Sequence, residues 1–338
     1  MRRDITFFRF TLTVLTMITL SSCAKTSTVG STEDLMPMRF GVAGISTRAV
    51  INGANDLQQN GQAFQVWGTY AKTVGSGTSG QNFTVFDGTK VTFNGAEWTY
   101  GDPQYWFPGF TYTFRALYPS DVANVTSGKD NFKIENFDAT LGTDLLLAAP
   151  EPISCGVDQK MEKVALRFGH LLSRIAFVGR SDEKHLGKGR HIIIDEARLY
   201  GLHTTGNWSG VTVEAGTWTT GSVITNAGNT PYVISKTTYP DGLPLTPEGV
   251  SLFANELFIP QQLNNCVLTI TFHYNVGEPK SFTREVRLAD VSTQWEAGKS
   301  YRYPFTIDEH IFFETPLLVP WEYAPVHNTD FNIDHLQD

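Results

Sequence analysis

Asp195 and Glu196 stand side by side, and paired carboxylates are common equipment for acid–base work. In a regular strand, however, neighbouring side chains point to opposite faces, so this pair is not expected to converge. His185 and His191 bracket a basic turn, KHLGKGRH. A metal site there needs further ligands, and none stands nearby in sequence; a solvated hairpin accounts for the segment. Gly75, Gly77 and Gly80 spell G-x-G-x-x-G by letters. The strand-to-helix context that would set a helix N-terminus against a phosphate is missing, so a hairpin tip is expected. The chain has no HExxH, no paired CxxC, no GxSxG and no Walker loop. No catalytic residues, no cofactor and no metal ligands are assigned. Seven tryptophans remain: Trp67, Trp98, Trp106, Trp208, Trp218, Trp295 and Trp321. Exposed, they would stack on sugar rings; buried, they would fill a core. The sequence leaves both open.

One residue has a clearer chemistry. Arg2, Arg3 and Arg9 face a single acid, Asp4, and an apolar or hydroxyl run follows from Phe10 to Leu20. That run falls short of the about 20 residues a membrane-spanning helix needs, and a basic segment before a short apolar one reads as a secretory signal. It ends in Leu20-Ser21-Ser22-Cys23, which resembles the lipobox of bacterial lipoproteins. The small pair fits a narrow peptidase groove, and the Cys23 thiol can take a diacylglyceryl thioether. One acyl chain holds only marginally at about 0.8 kcal/mol per buried methylene, so two or three are needed to anchor firmly. The expected order is a signal peptide over 1–22 and a lipid-anchored tether over 23–35.

Losing 1–22 removes three arginines and one aspartate, which takes the formal charge from −8 to −10. No basic patch stands out, so nucleic acid is not an expected partner. Cys155 and Cys266 remain. An exported compartment permits a disulfide, but two unpaired buried thiols are the plainer reading.

The elements that must position these residues alternate with period two. Phe64, Val66, Gly68 and Tyr70 share one face; so do Tyr112, Phe114, Ala116 and Tyr118; so do Leu268, Ile270, Phe272 and Tyr274; so do Tyr301, Tyr303, Phe305 and Ile307. Such alternation predicts half-buried strands, with Pro304 marking an edge or bulge. Turn residues cluster at 75–80, Asp87-Gly88, Asn94-Gly95, 187–189 and 226–229. The reading is all-β, in antiparallel sandwiches. Length argues for two domains, with a break in the proline-bearing stretch 148–156, giving 36–152 and 153–338 with a C-terminal tail.

A series of short segments runs along the chain: Thr47-Arg48-Ala49, Val66-Trp67-Gly68-Thr69-Tyr70, Trp98-Thr99-Tyr100, Tyr105-Trp106-Phe107-Pro108-Gly109 and Ala116-Leu117-Tyr118-Pro119. Asp144-Leu145-Leu146, the run from Phe168 to Ile175, Leu257 to Gln261, Trp295 to Tyr301 and a last strand reaching Trp321 follow in order. The set, in this order, resembles the fimbrillin family of Bacteroidales, the subunits and accessory proteins of type V pili. The resemblance implies two tandem transthyretin-like antiparallel β-sandwich domains. It implies a lipoprotein precursor at the cell outer membrane, surface-exposed and assembled into a fimbrium that serves adhesion. An Arg- or Lys-specific protease would cut after the first strand, and a strand from the next subunit would fill the groove left behind. On this chain the cut falls between Arg48 and Ala49, and 36–45 is the strand released. Arg48 also reads as a plain turn arginine, and Arg39 lies inside the released strand. The donor would come from 311–321 or from the tail 322–338, where Phe331 and Ile333 sit among Asp330, Asp334 and His335. Implied partners are other fimbrial subunits, the outer membrane through the lipid, and a host or bacterial surface ligand. The competing reading is an uncleaved surface lipoprotein that binds glycans through tryptophans. Nothing supports an envelope enzyme.

Overall fold

A computed structural model of the chain describes residues 36–45, 57–75, 77–128, 131–181, 186–187, 189–253, 256–277, 280–307 and 310–319. Every named element among them is a strand, apart from two three-residue 3-10 turns, Ala139–Leu141 and Leu288–Asp290. The first ten strands are β1 (Phe40–Ile45), β2 (Ala63–Val74), β3 (Gly77–Phe93), β4 (Trp98–Thr99), β5 (Phe110–Tyr118), β6 (Val125–Ser127), β7 (Phe132–Asp138), β8 (Leu146–Ala148), β9 (Ile153–Cys155) and β10 (Val164–His170). The next seven are β11 (Ser173–Arg180), β12 (Ile192–Tyr200), β13 (Thr205–Gly210), β14 (Thr217–Thr220), β15 (Val233–Ile234), β16 (Leu243–Pro244) and β17 (Val250–Ser251). The last six are β18 (Glu256–Phe258), β19 (Val267–Tyr274), β20 (Phe282–Arg287), β21 (Ser300–Ile307), β22 (Ile311–Phe313) and β23 (Leu317–Val319).

Four sheets result. The first runs β1-β10-β8-β5-β2-β3-β4, with β9 also on β5. Its inner face carries the alternation read from sequence: Phe64, Val66, Tyr112, Phe114 and Ala116 are all buried in one core. Phe40, on one edge strand, lies 5.3 Å from Phe86 of β3 and 5.9 Å from Tyr100 just beyond β4. The sheet therefore curls until its two edges face each other across that core.

The second sheet, β17-β11-β21-β22 with β18 and β23, packs on the third, β15-β12-β19-β20 with β16. Between them lies a separate core: Phe177, Tyr303 and Phe305 on one side, Ile194, Leu199, Leu268 and Phe272 on the other. A small fourth sheet, β14-β13-β7-β6, joins early and late strands. It covers the outer face of the first sheet, burying Trp67, Leu117, Phe132 and Trp208 in a third cluster. Thus Arg115 and Leu117, on the face opposite Phe114, are buried as well.

The strand pairing differs from expectation in two places. Most neighbours are antiparallel, but β1 runs parallel to β10 and β11 parallel to β21. Parallel neighbours need a long connection, and both pairs join strands far apart in sequence. Asp87-Gly88 is not a turn between strands but part of β3; Gly88 takes φ +65 and packs against the Trp67 indole, within a stretch of shifted register. Of the signal at 75–80, Gly77 to Gly80 belong to β3 and only Gly75 is seen in the turn; Asn94-Gly95 and 226–229 fall between strands as read, and residue 188 lies outside the described residues. Gly75 bends the β2–β3 hairpin at φ +59, and Asn94 Oδ1 accepts from Ala96 and Glu97 N–H at the β3–β4 turn. Pro304 sits where the strand beside β21 breaks between β22 and β23.

Candidate functional site

β1 is a strand whose side chains alternate between core and solvent. Met38, Phe40 and Val42 are buried, and Arg39 is exposed. The Phe40 ring is the centre of an aromatic nest. Phe64 lies 6.4 Å away at 87°, and Phe114 5.9 Å away at 86°. Edge-to-face contacts of this kind set the positive ring edge against the negative face of its neighbour.

Backbone bonds hold the strand on one side and at its start. Val164 N–H donates to Arg39 O at 2.8 Å, Met38 N–H to Gln104 O at 2.7 Å, and Trp106 N–H to Met36 O at 3.0 Å. Tyr100 Oη donates to Met38 O at 2.8 Å. A bulge between Val42 and Gly44 bends the strand, with Gly44 at φ +153. As the end member of the first sheet, β1 pairs with β10 alone. This is the arrangement in which a strand's removal would uncover both an unpaired edge and three apolar positions. Cys23, Arg48 and Ala49 lie outside the described residues, as do Trp321 and the tail 322–338. Of the donor candidates, β22 and β23 are seen, both hydrogen-bonded to β21, with Phe312, Leu317 and Leu318 exposed.

Two sequence segments that carried the resemblance meet in space. Asp144 and His170 come together in the interior: His170 Nδ1 is 3.1 and 3.0 Å from the two Asp144 oxygens. Asp144 Oδ1 also accepts from Leu145 N–H at 2.9 Å. Arg174, 3% exposed, joins them electrostatically. Burial pulls its pKa down to about 10, and the Asp144 charge opposes that fall. Leu145, Leu171 and Leu172 around this group belong to the third cluster, Leu146 and Phe168 to the first core, and Ile175 to the second core. The group thus pins the place where the three cores meet. Sequence separation hid it, since 26 residues part the acid from the histidine.

The tryptophans form no platform among the described residues. Trp67, Trp98, Trp106, Trp208 and Trp295 are buried. Trp218 is half-buried, with its indole N–H given to Leu171 O at 2.7 Å. Cys155 and Cys266 are both buried and free. Burial pushes the Cys266 thiol up to about 12. His191 is half-buried in the β-strand approach, its N–H bonded to Asn275 Oδ1 at 2.8 Å; His185 lies outside the described residues. No cluster of three His, Cys, Asp or Glu suited to a metal occurs among the described residues, and no helix there is long and apolar enough to cross a membrane.

Asp195 and Glu196 depart from expectation. A bulge between Ile194 and Glu196 breaks the alternation of β12, and both carboxylates line one hollow on the outer face of the third sheet. His273 Nδ1 stands 2.9 Å from Asp195 Oδ2, and Lys236 Nζ 3.5 Å from Oδ1. Arg198 takes both oxygens of Glu196, at 2.8 and 3.0 Å. That hydrogen-bonded pair holds the Glu196 carboxyl below its usual range.

These features define an all-β protein of stacked sheets with an edge strand plugged into its first core. The family pattern described as Fimbrillin-like matches residues 47–321, and the chain belongs to that family, a structural and adhesive one rather than an enzymatic one. A fimbrial protein from Bacteroides vulgatus ATCC 8482 is similar in fold: TM-score 0.55 at 15% identity, over 84% of this chain and 99% of its own. A fimbrial assembly protein from Parabacteroides distasonis ATCC 8503 aligns over 77% of this chain and 92% of its own, at 12% identity and a TM-score of 0.37. No curated protein matches the chain.

Proposed function

We propose that the protein is a fimbrial structural or accessory subunit that is exported as a lipoprotein on Cys23 and assembled by strand exchange. In this reading an Arg-specific protease cuts between Arg48 and Ala49, 36–45 leaves, and a C-terminal segment of the next subunit takes its place. The observation that carries it is β1 itself. It is an edge strand, bonded to one neighbour, whose Phe40 and Val42, with Met38 just ahead of it, nevertheless fill the first core. A replacement strand needs apolar residues at alternate positions, and it regains both the backbone bonds to β10 and the buried contacts.

The same reading divides the chain into two transthyretin-like sandwiches. Strand pairing passes from the first sheet to the second between His170 and Ser173, which supports a division there rather than at 152/153. Residues 153–155 and 164–170, read from sequence as part of the second domain, hydrogen-bond into the first sheet. The partners are then other fimbrial subunits, and the site of action is the surface and fimbrium, reached through the outer membrane.

The test is mass spectrometry of the N-terminus in native outer membrane and in sheared surface material. A chain beginning at Ala49 in sheared fibres is the expected result. A chain found only with lipidated Cys23, confined to the membrane, sinks the shaft-subunit reading and leaves an anchor.

A further inference from the structure

The hollow at Asp195 is built by two coordinated irregularities. On β12, Asp195 is the extra residue of the bulge, so it and Glu196 both face outward. On the neighbouring side, the strand that should cover them is interrupted. β16 pairs with Ile193 and Ile194, and β15 with Ala197 and Arg198, and neither pairs with Asp195 or Glu196. The intervening chain leaves the sheet as a closed loop. Thr238 and Tyr239 N–H both donate to Ser235 O at 2.9 Å, and Gly242 N–H to Tyr239 O at 3.0 Å. Gly242 returns the loop so tightly, at φ +78, that a Cβ there would stand 2.4 Å from Ile193 Cγ2. The space left has a volume of about 390 Å³ and opens widely to solvent. Asp195, Glu196 and Thr271 line it from the sheet, and Ser235, Lys236 and Thr237 from the chain that leaves it.

The chemistry of that lining is selective. Asp195, with a side chain only 10% exposed, is matched by Lys236 and His273, and Glu196 by Arg198. Each carboxylate thus has a partner within 3.5 Å, so the lining presents no unmatched charge to draw an ion, and a neutral ligand rich in hydroxyls suits it. Adjacent hydroxyls donate to a carboxylate and accept from an ammonium at once, and the hydroxyls of Ser235, Thr237 and Thr271 do either. The geometry points to a binding site for a neutral saccharide ring in this hollow, formed by Asp195, Glu196, Lys236 and Thr271. The site is distinct from the β1 groove, and it gives the subunit a surface contact of its own whether or not the chain polymerises.

The test is a titration of the purified, cell-exported protein followed by backbone amide shifts. The probes are N-acetylglucosamine, galactose, mannose and lactose, with inorganic phosphate and spermidine as charged comparisons. At least one sugar is expected to shift the amides of Glu196, Lys236 and Thr271 saturably, at concentrations on the order of millimolar for so small a ligand. Lys236→Ala, at a solvent-exposed position, is expected to weaken that binding about 10-fold, and Thr271→Val about 3-fold. The proposal is overturned if no sugar moves these amides, if neither variant changes the titration, or if phosphate or spermidine acts at lower concentration than every sugar. Fibres that assemble normally from a chain whose hollow ignores all four sugars would overturn this proposal alone and leave strand exchange standing.

Discussion

Phe40→Ala tests the plugged-groove argument most directly. The ring is 2% exposed, and four aromatic rings surround it at 5.3 to 6.4 Å. Truncating a buried Phe to Ala costs about 3–5 kcal/mol, as lost transfer energy plus the cavity left behind. Rings packed edge-on collapse poorly into such a space, so the upper half of that range is expected here. A folded protein has about 5–15 kcal/mol in hand, so the unprocessed chain loses a quarter or more of its margin. In a thermal melt this reads as a fall of about 8–20 °C. Arg39→Ala, one residue away and exposed, is the control and should change stability by less than about 0.5 kcal/mol. The two variants must separate in the full-length chain. They must also converge in processed fibres, because a subunit starting at Ala49 contains neither residue. If Phe40→Ala melts with Arg39→Ala in the unprocessed chain, the nest does not hold the strand. If the fibres differ, the strand was never released.

Four other outcomes are expected. Asp144→Ala leaves Arg174 and His170 buried without their carboxylate, and urea unfolding should show a loss of about 3–5 kcal/mol, against no more than about 1 kcal/mol for Arg198→Ala in its half-exposed surface pair. The Glu196 side of that pair has a folded pKa below its unfolded one, so its small contribution is present above the unfolded value of about 4.3 and fades as pH falls further; unfolding midpoints of wild type and Arg198→Ala should converge in acid. Cys266, held up to about 12 by burial, has on the order of one thiol in ten thousand ionised at pH 8, so iodoacetamide should label it only after denaturant is added; labelling at native speed would contradict its burial. Gly201→Ala places a Cβ 1.7 Å from Asn265 O at φ +80, and should abolish soluble folded protein, as read by size-exclusion yield.

How much of this was legible in sequence depends on the range of the interaction that decides it. Strand faces are set by neighbours two residues apart, and the alternations at Phe64 to Tyr70, Tyr112 to Tyr118 and Leu268 to Phe272 emerge as the cores. The hairpin tip at Gly75 is equally local. The burial of Arg115 and Leu117 on the opposite face was not legible, because the fourth sheet that covers them draws β7 and β13 from distant parts of the chain. The joining of Asp144 to His170 has the same cause. Asp195 failed for a different reason. The rule that strand neighbours diverge is sound, but one inserted residue reverses it, and the Ile194-Asp195-Glu196 sequence carries no glycine or proline to announce a bulge.

The pairing of β1 with β10 also has a consequence in time. Phe40 is aligned with Val164, so the first of the described strands has no partner strand until more than a hundred further residues exist. Closing so long a loop is slow, and contacts of high sequence separation form late. The hairpins β2–β3 and β19–β20 need no such wait. β1 is therefore among the last pieces to dock, after β10 has joined β8. A segment that arrives last, on a free edge, stands outside the earlier folding steps. The rest of the first sheet can organise in its absence, which is the kinetic condition for any exchange of that strand to leave the remaining fold intact.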